Sequence, residues 1–493
     1  MTFCYEGSWE DVFENVSFQI DTSWKLGFTG RNGKGKTTFL KLLQGNYEYQ
    51  GTIATSVDFE YFPFEVSDIS KNTIDVVEEV YPAYEFWKLL REMSYLEISE
   101  EVLFRPFETL SHGERTKILL AALFLKENAF LLIDEPTNHL DMEGRRCVME
   151  YLQKKKGFIL VSHDRKFLDG CIDHILSINR TNIEVQKGNF SSWYENKQKR
   201  DQFEMAENEK LKKEISHLKA AARRTDAWAK KSENSKIGYD PVKQENWNGR
   251  RPFIGEKTRK MQARRKDIKG KQEKAINEKA GLLKNMEEIE SLKLWPRQHV
   301  KQQLVRLDKV QIRYNEKPIF KPVTFEINQG ERIALKGKNG CGKSSILKLI
   351  YEESMEYQGE FYKVKDLKIS YVSQDTSMLQ GSLREFANQK EIDETLLKTV
   401  LRKLDFSREQ LDKPMETYSG GQKKKVLIAG SLCEKAHLYL WDEPLNFIDV
   451  FSRIQMEELL LKFQPTMLFV EHDQTFLENV ADRIINLEET LQP

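Results

Sequence analysis

Four short motifs recur along this chain in one order and at an almost constant offset. "GRNGKGKTT" from Gly30 returns as "GKNGCGKSS" from Gly337, 307 residues later. "SHGE" at Ser111 returns as "SGGQ" at Ser419, and "IDEP" with Asp134 as "WDEP" with Asp442, both 308 residues on. "VSHD" with His163 returns as "VEHD" with His472 after 309. Shared order and offset make the chain a tandem duplication with an insertion. The copies span residues 1–190 and 301–493, leaving 191–300 between them. In each copy, buried-looking runs such as "FILVSHD" and "TMLFVEHD" alternate with helical patterns such as "TTFLKLLQG". That alternation predicts α/β layers around a largely parallel sheet. Little sequence precedes Tyr5, whereas "QLVRLDKVQIR" precedes Tyr314. The first copy is therefore expected to have a shortened edge strand, or a start lying further upstream.

The inserted segment has another character. Leu211, Ile215, Leu218 and Ala222 fall at helical spacing, and Ile276, Ala280, Leu283 and Met286 repeat a similar thin stripe. Each stripe suits a helix packed on one other helix, which predicts a long antiparallel hairpin. Residues 196–232 would reach roughly 55 Å at the helical rise. Gly238, Pro241, Gly249, Pro252 and Gly255 then interrupt helix and predict a turn-rich tip near 234–256. The whole chain balances 77 basic against 77 acidic residues, yet 191–300 holds 28 against 17. Between Lys210 and Lys271 the imbalance sharpens to 20 against 7. A basic arm on an acidic body points to a polyanion. Tyr239, Trp247 and Phe253, with Arg250 and Arg251, suit stacking on unpaired bases. The plainer reading is a solvated coiled coil capped by Trp247.

No run of roughly 18 apolar residues offers a membrane span, and "MTFCYEGSWEDVF" lacks the basic and apolar pattern of a signal peptide. The five cysteines are scattered without a CxxC pair, which argues against zinc and iron–sulfur sites and fits reduced thiols in a cytoplasm.

Both glycine-rich stretches fit GxxxxGK[ST]. Gly30, Asn32, Gly33 and Gly35, like Gly337, Asn339, Gly340 and Gly342, let successive N–H groups curl round phosphates. Lys36 and Lys343 would reach the β- and γ-phosphates of ATP, with Thr38 and Ser345 beside them, while Thr37 and Ser344 would ligate Mg²⁺. Asp134 and Asp442 end apolar runs and would reach the same ion. Glu135 and Glu443 follow directly, placed to orient or deprotonate an attacking water. His163 and His472 end their own strands and would approach the γ-phosphate.

Together these residues resemble the ATP-binding cassette (ABC) family. Ser111 with Gly113, and Ser419 with Gly420 and Gly421, match its signature motif, and "NHLD" and "NFID" match its D-loop. The resemblance implies two P-loop cassettes closing head to tail over two ATPs, each between one P-loop and the other signature. It also implies adenine stacking by Tyr5 and Tyr314, and a Mg²⁺ and water contact by Gln374. The copies depart from the pattern differently: the first has Phe64 in place of that glutamine, and His112 where the second has Gly420. Unequal hydrolysis at the two sites is expected.

Two fused cassettes, no membrane segment and a helical insert between them resemble the ABC-F group, across essentially the whole chain. "YFPFE", "LSHGERTKILLAALFLKENAFLLIDEPTNHLD" and the extended tip look most like its Lsa and Vga-type resistance members. That resemblance implies a monomer with paired cassettes that binds the bacterial 70S ribosome at the exit-tRNA site when closed on ATP. Its arm would reach P-site tRNA and 23S rRNA near the peptidyl transferase centre, with neither DNA nor membrane as partner. Protection against lincosamides, streptogramin A and pleuromutilins follows from the same resemblance. A housekeeping translation ATPase, a transporter's ATPase subunit and a non-catalytic RNA scaffold remain as alternatives.

Overall fold

The computed structural model describes residues 1–5, 11–138, 140–179, 182–237, 274, 292–314, 317–353, 355–446 and 448–487. The chain divides into two units, Met1–Trp193 with Glu290–Pro493, and Tyr194–Ile289.

The first copy is built on a six-stranded sheet. Its strands are β1 (Lys25–Thr29), β2 (Asp58–Phe62), β3 (Ala129–Asp134), β4 (Phe158–Val161), β5 (His174–Asn179) and β6 (Asn182–Lys187). They lie in the order β2-β3-β4-β1-β5-β6, with only the β5–β6 pair antiparallel. Every residue of β4 is buried, because helices cover both faces of a parallel sheet. That is why "FILV" reads as an unbroken apolar run.

The second copy repeats this layer and adds another. Its strands are β7 (Gln303–Tyr314), β8 (Lys317–Pro318), β9 (Val323–Asn328), β10 (Arg332–Lys336), β11 (Tyr357–Lys363), β12 (Ile369–Val372), β13 (Leu438–Asp442), β14 (Met467–Val470) and β15 (Arg483–Asn486). The parallel sheet runs β12-β13-β14-β10-β15. β11, β7 and β8 form an antiparallel sheet, with β9 also paired to β7. In the first copy the described residues 1–5 make only isolated bridges, Thr2 to Gln50 and Phe3 to Phe13, where the second has the twelve-residue β7.

In both copies the P-loop follows an interior strand, β1 or β10, and the carboxylate pair follows the strand two places away, β3 or β13. The histidine follows the strand between them, β4 or β14. Chemistry-bearing residues thus gather at the carboxyl ends of adjacent strands, where open α/β sheets bind ligands.

Phe190–Ile237 forms one 48-residue helix. In its predicted stripe Ile215 is buried and Leu211 half-buried, while the side chains of Leu218 and Ala222 lie outside the described residues. So do Ile276, Ala280, Leu283 and Met286 of the second stripe, and the tip residues Tyr239, Trp247, Arg250, Arg251 and Phe253. Among the described residues no helix is long and apolar enough to cross a membrane. All five cysteines are free thiols, four of them buried.

Candidate functional site

Each P-loop depends on glycine conformations. Gly33 and Gly35 have φ of 80° and 91°, and Gly340 and Gly342 have 82° and 90°, in the left-handed region that other residues resist. A Cβ on Gly35 would also lie 2.7 Å from Val12 Cγ1, and one on Gly342 2.7 Å from Phe320 Cδ1. Gly35 and Gly342 cap the helices Lys36–Leu43 and Lys343–Glu352, whose first N–H groups therefore face the loop. Lys36 Nζ donates to Gly30 O at 2.7 Å and to Asn32 Oδ1 at 3.3 Å. Lys343 Nζ donates to Gly337 O and Lys338 O, both at 2.8 Å. Buried ammonium groups held only by loop carbonyls are poised for an anion in the same loop.

Beside each loop stand the paired carboxylates. Thr37 Oγ1 and Tyr61 Oη both donate to Asp134 Oδ2, at 3.1 and 2.9 Å. Burial raises the Asp134 carboxyl above its ordinary value, against the pull of Tyr61, Thr37 and Lys36. Burial likewise lifts Asp442 to about 6, against the Ser344 hydroxyl and Lys424. Asp442 Oδ1 is buried with no hydrogen-bond partner among the described residues. A buried, unpartnered carboxylate oxygen beside a hydroxyl on a helix N-terminus fits a hard cation such as Mg²⁺.

Glu135 and Glu443 both have left-handed backbone, φ 52° and 46°, although neither is glycine. Such strain persists where surroundings over-determine it. Here the Glu135 N–H is held by Val161 O at 2.9 Å and the Glu443 N–H by Val470 O at 3.0 Å. The turn aims each carboxylate at the neighbouring histidine: Glu135 Oε1 lies 3.3 Å from His163 Nε2, and Glu443 Oε1 3.3 Å from His472 Nε2. Electrostatically the two glutamates differ. Burial, then Asp134, pushes Glu135 up to about 8. Burial also acts on Glu443, but His472, Lys343 and Lys424 outweigh it and hold the group at about 2. Gln374 Nε2 donates to Glu443 Oε2 at 2.8 Å, so the glutamine holds the Glu443 carboxylate directly. In register, Phe64 takes its place in the first copy, following β2 as Gln374 follows β12.

The signature serines start helices. Ser111 Oγ accepts from Glu114 N while Glu114 accepts from Ser111 N, and Ser419 with Gln422 does the same. These capping boxes fix where the helices His112–Leu123 and Gly420–Cys433 begin.

Each helix start lines a cavity with the P-loop of the other copy. One cavity of about 700 Å³ is lined by Asn32, Lys36, Thr37, Asp134, Glu135 and His163 together with Ser419, Gly420 and Gly421. The other, of about 920 Å³, joins Asn339, Lys343, Ser344, Gln374, Glu443 and His472 to Ser111, His112 and Gly113. The structure thus brings the predicted residues together in two composite sites, site one around Lys36 and site two around Lys343. Tyr5 is half-exposed beside its loop, its hydroxyl 2.5 Å from Thr38 Oγ1. Tyr314 ends β7, but its side chain lies outside the described residues.

Several participants were not singled out in the sequence. Arg31, inside the first P-loop, forms an ion pair with Asp405 of the second copy. The corresponding Lys338 and Glu97 both line the larger cavity, but no ion pair joins them among the described residues. Asp449 of the second D-loop caps the helix Val450–Phe463 and takes Lys425 Nζ at 3.2 Å. The Asp449 charge also acts on Lys36 across the interface. Further from the cavities, Arg165 of the first copy pairs with the buried Glu457 of the second. At the pseudo-symmetric positions stand Gln474 and Met149, which cannot form such a pair. For Arg165 and Glu457 the repeat alignment offers a sequence signal, as charges present in one copy and missing from the other.

The family model described as "ABC transporter" matches residues 13–138 and again 320–446. A second model with the same description matches 176–237. Among curated proteins, the "Ribosome protection protein VmlR" of Bacillus subtilis (strain 168) is 28% identical over 97% of this chain and 84% of its own length. The "Probable ATP-binding protein YbiT" of Escherichia coli O157:H7 is 25% identical, with 97% and 93% covered. Among solved structures, an archaeal ribosome recycling factor, aABCE1, in complex with the ribosomal stalk protein aP1, aligns over 96% of this chain and 84% of its own. Its TM-score of 0.59 at 22% identity supports a shared fold. With two cassette matches, paired P-loop and carboxylate sites, and ABC-F-type relatives along nearly its full length, this chain belongs to the ABC family as a tandem-cassette ATPase of the ABC-F type.

Proposed function

We propose that this ATPase binds the bacterial 70S ribosome at the exit-tRNA site with its cassettes closed on two ATPs, and protects the ribosome against drugs of the peptidyl transferase centre. The observation that carries the reading is the composite construction of both cavities, each needing the P-loop of one cassette and the signature of the other. Such a pair is a clamp whose closure is linked to ATP binding. The full-length similarity to a protein named for ribosome protection supports that partner. The basic excess between Lys210 and Lys271 supports contact with 23S rRNA and P-site tRNA. A cytoplasmic location follows from such a partner.

In this reading Thr37 and Asp134, and Ser344, Asp442 and Gln374, hold Mg²⁺, which supplies neutralising charge on the phosphate oxygens. Lys36 and Lys343 leave their loop carbonyls for phosphate. Glu135 and Glu443 orient the water and take its proton, with His163 and His472 held against them. The segment 191–300 supplies the arm, with Tyr239, Trp247, Arg250, Arg251 and Phe253 at its working end. Lincosamides, streptogramin A and pleuromutilins are the drug classes proposed.

Co-sedimentation tests the partner. The Glu135→Gln, Glu443→Gln double variant is expected to pellet with 70S ribosomes in ATP and to stay in the supernatant with ADP. Absence from the ribosomal pellet in ATP would defeat the reading. Expression in a susceptible bacterium should raise inhibitory concentrations for at least one of the three drug classes. No shift for any class would leave a housekeeping translation factor as the better description.

A further inference from the structure

The two cassettes secure the loop behind their catalytic glutamate in different ways. In the first, the hydroxyls of Thr137 and Ser162 face each other at 3.2 Å, and Ser162 Oγ accepts from Asp164 N at 3.2 Å. The second has Leu445 and Glu471 at these positions. Glu471 is 3% exposed, a carboxylate enclosed one residue before His472. Its Oε1 accepts from Leu445 N at 2.7 Å and its Oε2 from His472 N at 3.1 Å. The Leu445 carbonyl is taken by Arg453 Nη2 at 2.9 Å. Leu445 is therefore held at both its N–H and its carbonyl by the buried side chains of Glu471 and Arg453.

That residue carries the catalytic geometry of site two. Leu445 lies two residues after Glu443, and the next residue, Asn446, donates through Nδ2 to Glu443 Oε2 at 2.7 Å. His472 Nε2 reaches the other oxygen at 3.3 Å. One side chain thus anchors the backbone of His472 and of Leu445, the residue just before Asn446. Both Glu471 oxygens accept from backbone N–H groups, whereas the hydroxyl pair of the first cassette takes one backbone N–H, so this brace fastens two backbone positions in place of one.

We propose that Glu471 is a positioning residue for hydrolysis at site two, acting through the Leu445 and His472 backbone to hold Glu443 and His472 in register for the attacking water. The proposal rests on the ATPase reading of site two. It assigns to the second cassette a brace that the first builds from different residues. Replacing the carboxylate by an amide would turn an NH₂ group towards one of the two N–H donors, so one anchor is lost with little change of shape.

The test uses the full chain in two backgrounds, Glu135→Gln to report site two and Glu443→Gln to report site one. Glu471→Gln is expected to lower kcat in the first background by about tenfold, with KM for ATP within about twofold, and to leave the second background unchanged. Combining Glu471→Ser with Leu445→Thr installs the hydroxyl pair and is expected to restore kcat to within about threefold of the parent. An unchanged kcat, a loss confined to KM, or an equal loss in both backgrounds would overturn the proposal. If Glu471→Gln fails to fold, the double replacement decides alone, and its inactivity would overturn the brace. If Glu443→Gln leaves hydrolysis intact in the Glu135→Gln background, the ATPase reading of site two falls and this inference falls with it. Activity that depends on Glu443 and ignores Glu471 defeats only the inference.

Discussion

Arg31, in the P-loop of the first cassette, is ion-paired with Asp405, which stands ahead of the signature helix of the second. Both side chains are largely shielded from solvent, at 13% and 23% exposure. The pair joins the two walls of site one directly, whereas among the described residues no ion pair joins Lys338 to Glu97 at the corresponding place in site two.

Breaking this latch should weaken closure at site one. Asp405→Asn is expected to reduce ATP retention in the Glu135→Gln, Glu443→Gln background by about 1–3 kcal/mol, between the values for exposed and buried pairs. The exchange Arg31→Asp with Asp405→Arg should recover part of the loss. Filter binding of labelled ATP would check it, and an unaltered off-rate would show that the pair is idle.

Site two should be the faster hydrolase. Gln374 Nε2 donates to Glu443, whereas Phe64, which follows β2 as Gln374 follows β12, has no group to donate to Glu135. A catalytic group held in one geometry gains rate over one left free to move. Glu443→Gln is therefore expected to remove most phosphate release, and Glu135→Gln a minor share. Equal residual rates would contradict this.

The P-loop glycines should separate by the space around them. Gly33 has φ 80° with nothing within 4 Å of an added Cβ, so Gly33→Ala is expected to cost about 1–2 kcal/mol, the left-handed penalty alone. Gly35→Ala adds a 2.7 Å clash with Val12 and should cost more. Denaturant titration of both variants would rank them.

Asp449 should make the cassette pair sensitive to acid. Burial opposes its ionisation, but Lys425, the Ser452 N–H and Lys36 hold its carboxyl well below the ordinary value of 3.8. Its folded-state value being the lower one, its stabilisation is complete above pH 3.8 and is lost as pH falls towards the folded value. Asp449→Asn should flatten the fall in melting temperature between about pH 4 and 2, below the ordinary carboxylate value. Asp449→Ala, which strands Lys425, is expected to destabilise by about 3–5 kcal/mol at neutral pH.

The motifs made both nucleotide sites legible because a P-loop, a strand-end carboxylate pair and a histidine are local patterns, and duplication showed them twice. "QLVRLDKVQIR" likewise announced β7, and the continuous apolar runs announced parallel strands. What the sequence hid is non-local or conformational. Nothing in "IDEP" or "WDEP" states that its glutamate turns left-handed, since the surrounding strand ends impose that backbone. The Arg31–Asp405 partnership spans 374 residues, and no spacing rule reaches so far. The Tyr61 hydroxyl donates to Asp134, a link between strands that no local motif marks.

Arg165 and Glu457 meet away from both cavities, and their symmetry mates Gln474 and Met149 make no such pair. The Arg165–Glu457 pair is thus a charged fastening between the copies with no counterpart at its symmetry-related place. Separation of the copies should meet unequal resistance at the two related points and start at the weaker one. The same cycle of closing and release would then run through its contacts in a fixed order.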